Sequence, residues 1–252
     1  MSENFQGIDS VLAIPQARLG QGTGIQIAVV GDAATVTAGM ARWMADELHD
    51  RNARGEPTRW IIPVGPVDQY PILAEICNRE RINLRDAVLF NMDEYCDASG
   101  RLIPPDHPLS FVSFMNGRFY DLLDPELRPL PQNRIFPDPA DLNALPRRID
   151  EVGGIDVCFG GIGINGHIAF NEPPEPGERV SADEFRRLPT RVLSLSRETR
   201  TINSVTVGGD IWTIPPMAVT IGMREILASC EIRIYCNRPW QSGIVRRILH
   251  GP

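Results

Sequence analysis

Lysine is absent from this 252-residue chain, and all 25 of its basic residues other than histidine are arginine. That excludes chemistry needing an amine nucleophile, such as Schiff-base aldol and pyridoxal reactions. It also removes the lysine on which a P-loop depends. The five cysteines (Cys77, Cys96, Cys158, Cys230, Cys236) form no C-x-x-C pair. Neither a disulfide framework nor a zinc site is expected from them, and reduced, buried thiols are the default. No apolar run is long enough to span a bilayer. The opening residues Met-Ser-Glu-Asn-Phe-Gln-Gly lack the basic and apolar regions of a signal peptide. A cytoplasmic protein without a membrane partner is therefore expected. The net charge of −7 counts against nucleic acid as a partner, so an anionic ligand would need a local group of arginines.

What is present is enough apolar residue, 42% of the chain, for a substantial core. The length fits one α/β domain. The chain is organised around Gly160-Gly161-Ile162-Gly163-Ile164-Asn165-Gly166-His167-Ile168-Ala169-Phe170-Asn171-Glu172-Pro173. It comes directly after the apolar run 155–159, which reads as a buried strand. A Gly-rich loop at the carboxyl end of a strand is where open α/β sheets hold ligands. Residues 161–166 fit G-x-G-x-x-G, but a dinucleotide site needs a helix opening directly after the glycines. Ile-Ala-Phe-Asn-Glu-Pro-Pro is a poor helix start that prolines cut off. A metal held by His167 and Glu172 would need further ligands, and no H-E-x-x-H spacing or third ligand is evident. A plain Gly-rich turn with a surface histidine stays open on these residues alone.

Residues 1–24 read as a lead-in, and residues 25–252 as one domain. Strands are expected at 25–30, 60–64, 87–90, 155–159, 218–221 and 232–236. Helices are expected at 33–51, 68–80, 109–123, 141–152 and 223–228, with a last one running into His250. Alternating strands and helices predict an α/β fold with a doubly wound, Rossmann-like, mostly parallel sheet and helices on both faces. Residues 173–192, rich in proline and charge, are a candidate lid. Asn91-Met92-Asp93-Glu94-Tyr95 comes after the third strand, where an aspartate reads equally as a cap or Asx-turn. Glu94 beside it is placed to raise the proton affinity of Asp93 or to face away.

Three stretches together resemble the glucosamine-6-phosphate deaminase (isomerase) family. Residues 161–173 match G-x-G-x-[DN]-G-H-I-[AG]-F-N-E-P, residues 91–95 match N-M-D-E-Y, and Thr199-Arg200-Thr201-Ile202-Asn203-Ser204 matches T-R-x-x-N-S. His107-Pro108 and the phenylalanines after it are similar as well, and there we read packing residues. The related 6-phosphogluconolactonases share the G-H core and diverge after it. The resemblance implies opening of an amino-sugar phosphate ring, a proton shift from C2 to C1 and loss of ammonia, with no metal and no organic cofactor. It implies Asp93 as the C2 base, His167 for ring opening with Glu172 to orient it, and Asn165 as a hydrogen-bonding neighbour. Gly163, Gly65, Glu94 and Arg200 would contact the substrate, Arg200 at the phosphate.

The chain departs from the family at the turn usually reading P-T-G-G-T-P. Here it is Pro63-Val64-Gly65-Pro66-Val67-Asp68, without either threonine, and Gln241 stands where the family places a phosphate-binding lysine. A sugar phosphate is the expected partner. The same chemistry on a different or unphosphorylated sugar, a non-catalytic sugar-phosphate sensor and a lactonase-type hydrolase remain as alternatives. A homo-oligomer is compatible with all of them.

Overall fold

A computed structural model describes residues 10–64, 68–175 and 177–251. The first long element is α1 (Ala33–Arg54). Asp32 starts it by accepting the N–H of Thr35 at 2.7 Å, and Gly55 stops it in the left-handed conformation at φ 67°. Its buried positions Thr37, Met40, Ala41, Met44, Ala45 and Leu48 recur at three- and four-residue spacing, so one face packs inward.

Strands and helices then alternate: β1 (Arg59–Ile62), α2 (Gln69–Glu80), β2 (Val88–Asn91), β3 (Asp93–Cys96), α3 (Phe111–Arg118), β4 (Arg134–Ile135), α4 (Ala144–Glu151) and β5 (Val157–Gly160). The remainder is α5 (Ala182–Phe185), β6 (Arg191–Ser194), α6 (Arg197–Ser204), β7 (Met217–Thr220), α7 (Met223–Leu227), β8 (Glu231–Ile234) and α8 (Gln241–His250). Five strands form a parallel sheet in the order β4-β2-β1-β5-β8. Side chains leave it alternately on both faces. Trp60, Ile62, Leu89, Val157 and Phe159 meet Met40, Leu73 and Met115 from α1, α2 and α3. Ile61, Val88, Phe90 and Cys158 meet Leu145, Ile149 and Ile226 from α4 and α7. The α/β fold with helices on both faces of a mostly parallel sheet is therefore the one expected.

Several elements differ from expectation. Residues 25–30 form no strand. Ile25, Ile27 and Val29 are 55%, 39% and 49% exposed, because the alternating apolar pattern finds no sheet edge to pair with. The helix expected at 109–123 is shorter. Ser110 caps its start, and Phe119 at φ −138°, ψ −69° ends it before a 3-10 turn at Tyr120–Leu122. The strand expected at 218–221 does not join the main sheet. As β7 it lies between β3 and β6 in a second, antiparallel sheet, and neither β3 nor β6 has the long apolar run that marks a buried strand. Residues 191 and 192, inside the candidate lid range, belong to β6. Among the described residues no helix is long and apolar enough to cross a membrane.

One ion cluster ties α1 to the sheet. Asp156 accepts the backbone N–H of Arg59 at 2.8 Å, and its other oxygen lies 2.6 Å from the Arg59 guanidinium and 2.9 Å from that of Arg51. Truncating the shared carboxylate leaves two partly buried cations without it. Asp156→Ala is expected to lower unfolding free energy by about 3–5 kcal/mol, read from urea denaturation against wild type; a loss under about 1 kcal/mol would mean that the cluster is no more than a surface pair.

Candidate active site

Beyond β5 the chain turns sharply. Gly163 donates to the carbonyl of His167 at 2.8 Å, and Gly166 donates back to Gly163 at 3.0 Å with φ 96°. The imidazole of His167 lies directly over Gly163: a Cβ there would sit 2.0 Å from Nε2. Only glycine admits the ring in this position. Ala169 holds φ 52°, unusual for a residue with a side chain. The next two residues keep it there. Phe170 donates to Thr220 Oγ1 at 3.0 Å, and the buried Asn171 amide donates to the carbonyls of Ile168 and Ile221 at 3.0 and 2.9 Å. The segment is pinned on both sides of the strained residue.

His167 Nδ1 faces three groups: Asn165 Oδ1 at 2.8 Å, Thr199 Oγ1 at 3.2 Å and Glu172 Oε2 at 3.5 Å. The Asn165 amide donates to Glu172 Oε2 at 2.6 Å and to Ser196 Oγ at 3.2 Å. That commits its NH2 group and turns its oxygen toward the imidazole, so Nδ1 carries a proton. Nε2 has no hydrogen-bond partner among the described residues. Burial alone would raise the Glu172 carboxyl. Hydrogen bonds from His167 and Asn165, and the nearby imidazole charge, outweigh burial and hold it at about 2.

Asp93 is the opposite case. It opens β3 instead of closing the strand before it, and it is 6% exposed. Its carboxylate has neither hydrogen bond nor ion pair among the described residues. Burial, and then the charge of Glu94, push its pKa well above the usual carboxylate range. Asp93 pairs with Thr220 across the antiparallel ladder, and Thr220 is the residue that receives Phe170 N–H. Strand alternation puts Asp93 and Tyr95 on one face. The Tyr95 ring lies 5.6 Å from that of Phe170, which lies 6.1 Å from the imidazole. The face of β3 that bears Asp93 is thus the one turned toward the His167 loop. Among the described residues, no group of three or more His, Cys, Asp or Glu side chains is arranged to hold a metal ion.

No family model matches the chain. It is 32% identical over 225 residues to the glucosamine-6-phosphate deaminase of Porphyromonas gingivalis, covering 84% of this chain and 79% of that one. It is 33% identical over 226 residues to the glucosamine-6-phosphate deaminase of Yersinia pestis, covering 85% and 79%. The chain belongs to the glucosamine-6-phosphate deaminase family. A solved monomeric glucosamine-6-phosphate deaminase shares the fold of this family member with a TM-score of 0.67 at 24% identity, over 90% of this chain and 94% of that one. A 6-phosphogluconolactonase from Thermotoga maritima shares it more distantly, with a TM-score of 0.55 over 79% of each chain at 15% identity.

Of the positions expected to form the family site, Asn165, His167, Glu172 and Gly163 come together in one network. Asp93 shares no hydrogen bond with them among the described residues, and its ladder partner Thr220 accepts Phe170 N–H from the same loop. Glu94 does something else. It is buried, and its two oxygens accept from Tyr95 N, Phe111 N, Val112 N and Ser110 Oγ at 2.8–3.0 Å, so it caps α3 and has no free lone-pair direction for a sugar. Its charge still acts on Asp93. Arg200 donates through Nη2 to the carbonyls of Ile211 and Ile214 at 3.1 and 3.2 Å, while its buried Nε has no partner among the described residues. Gly65 lies outside the described residues. Sequence reasoning missed Ser196 and Thr199. Ser196 caps α6 by accepting Thr199 N–H at 3.1 Å, and a serine placed to start a helix was the available signal.

The geometry makes two outcomes testable. The lowered Glu172 carboxyl contributes stability that is present above its ordinary value of 4.5 and is lost as pH falls toward about 2. Acid unfolding of Glu172→Gln should therefore lose part of the wild-type pH dependence between about 4.5 and 2; identical slopes in that window would refute the assignment. Gly163→Ala should leave the chain folded and displace the imidazole. In histidine NMR spectra the His167 resonances should move, while those of His49 and His107 stay in place.

Proposed function

We propose that this chain converts glucosamine 6-phosphate and water to fructose 6-phosphate and ammonia. The observation that carries the reading is the pairing of a lone, buried carboxylate at Asp93 with an imidazole whose Nδ1 is tied down and whose Nε2 is left unpartnered. Ring opening moves a proton between the anomeric hydroxyl and the ring oxygen, and an imidazole with Nε2 open to the substrate suits that exchange. Asp93 then removes the proton from C2, which desolvation favours by strengthening the base, and returns it to C1. Water hydrolyses the resulting C2 imine and releases ammonia. Glu172 and Asn165 hold the imidazole and steady its charge through the cycle, as a carboxylate does in hydrolytic triads. Arg200 would meet the phosphate through its remaining N–H groups, Gly163 would line the sugar, and residues 173–190 would close over it. A cytoplasmic setting belongs to the same proposal and is supported by five unpaired cysteines, three of them buried.

A second reading, the same chemistry on a sugar without phosphate, is favoured by two observations. Arg200 spends Nη2 on two backbone carbonyls, and Asp68 stands at the start of α2, where it repels an anion.

Ammonia release from glucosamine 6-phosphate is the measurement. Asp93→Asn should cut kcat by about 10²–10⁴-fold with the fold intact. The acid limb of wild-type kcat/KM should fall above the ordinary aspartate value of 3.8. Equal turnover in wild type and Asp93→Asn would end the reading, and faster release from unphosphorylated glucosamine would select the second one.

A further inference from the structure

The His167 loop rests on a helix from the far end of the chain. Gln241, the first residue of α8, is 6% exposed, and both ends of its amide are used. Its Oε1 accepts Arg238 N–H at 2.8 Å, and its Nε2 donates to the Ile162 carbonyl at 2.7 Å. Ile162 directly precedes Gly163, the seat of the imidazole. Further along α8, Ile244 Cδ1 lies 3.5 Å and Ile248 Cδ1 lies 3.7 Å from where a Cβ on Gly166 would stand. The helix therefore holds the loop at both ends, by a hydrogen bond before the turn and by packing beneath it. It is itself tied down, since Arg246 Nε donates to Ile14 O at 2.9 Å and His250 Nε2 accepts from Gly20 N at 3.2 Å.

From this we infer that Gln241 is a positioning residue for the reaction: through the Ile162 carbonyl it fixes the turn that presents His167. Each end of the buried amide is engaged by backbone, the oxygen by Arg238 N–H and the nitrogen by the Ile162 carbonyl, so Gln241 is held against the loop and acts through it. A one-ångström error in imidazole placement can cost on the order of a hundredfold in rate.

The two ends of the amide make opposite demands, and that separates positioning from ordinary helix capping. Gln241→Glu keeps the acceptor for Arg238 and adds a charge favourable at a helix N-terminus, but it loses the donor and sets an oxygen against the Ile162 carbonyl. Gln241→Lys keeps a donor within reach of Ile162 and loses the acceptor. Gln241→Met removes both hydrogen bonds at nearly constant shape.

The kinetic part rests on the deaminase reading. Ammonia release should fall in the order wild type, Lys, then Glu and Met, with kcat down by about tenfold or more in the last two and KM nearly unchanged. Activity kept in Gln241→Glu and lost in Gln241→Lys would show a helix cap and overturn the inference. The second arm needs no substrate. With four histidines in the chain, the His167 imidazole can be followed by 1H–15N NMR in the folded full-length protein. Its nitrogen shifts should move in Gln241→Glu and Gln241→Met and stay near wild type in Gln241→Lys. Unmoved His167 signals in folded Gln241→Glu and Gln241→Met overturn the inference even if the chain deaminates glucosamine 6-phosphate. Shifted signals in a chain that deaminates nothing uphold the positioning and reject only the reaction.

Discussion

The carboxylate of Glu172 sits where two separate pieces of chain meet. The loop after β5 brings His167 and Asn165, and the start of α6 brings Ser196 and Thr199. Removing an ion from water costs several kcal/mol, so a buried carboxylate persists only where donors replace its hydration. Here the Asn165 amide, the Ser196 N–H and the imidazole do so, and the charged form is favoured despite burial. The tautomer of His167 is set by that arrangement, because Asn165 can give its amide to the carboxylate only by turning its oxygen to Nδ1. Loss of this carboxylate would free Asn165 to rotate and leave the imidazole without a defined acceptor.

Two carboxylates of the candidate site are pushed in opposite directions. Glu172 is held well below its ordinary value by donors, and Asp93 is raised by burial without any donor. Environments that separate like groups in this way assign them different work. The satisfied one stays charged, and the unsatisfied one has a high affinity for a proton. Glu94 adds to the second effect while spending its own oxygens on the start of α3, so one acidic residue caps a helix and tunes its neighbour.

The scaffold brings these groups together through contacts that tolerate little change. Ala169 stays in a left-handed conformation because Asn171 and Thr220 fix the backbone beyond it. Thr220 also faces Asp93 across the ladder, so a single residue links the strand of Asp93 to the loop of His167. The antiparallel sheet carries Asp93, the parallel sheet carries the loop of His167, and α8 supports that loop from beneath.

Local pattern in the sequence was enough for α1, with Asp32 and Gly55 at its ends and its buried face at helical spacing, and for β1, β2 and β5, whose apolar runs admit only a buried strand. Asp93, Asn165, His167 and Glu172 stood out through the resemblance of their segments to the family; residue type and spacing alone left Asp93 equally a cap and His167 a turn residue. Partnership was decided only by the tertiary structure. Residues 25–30 read as a strand and have no edge to join, β7 pairs outside the main sheet, Glu94 turns to a helix end, and Gln241 reaches a carbonyl 79 positions away. The reason is physical: alternation, caps and propensity act over a few residues, whereas a hydrogen bond or an ion pair is set by whatever the folded chain places opposite, at any separation.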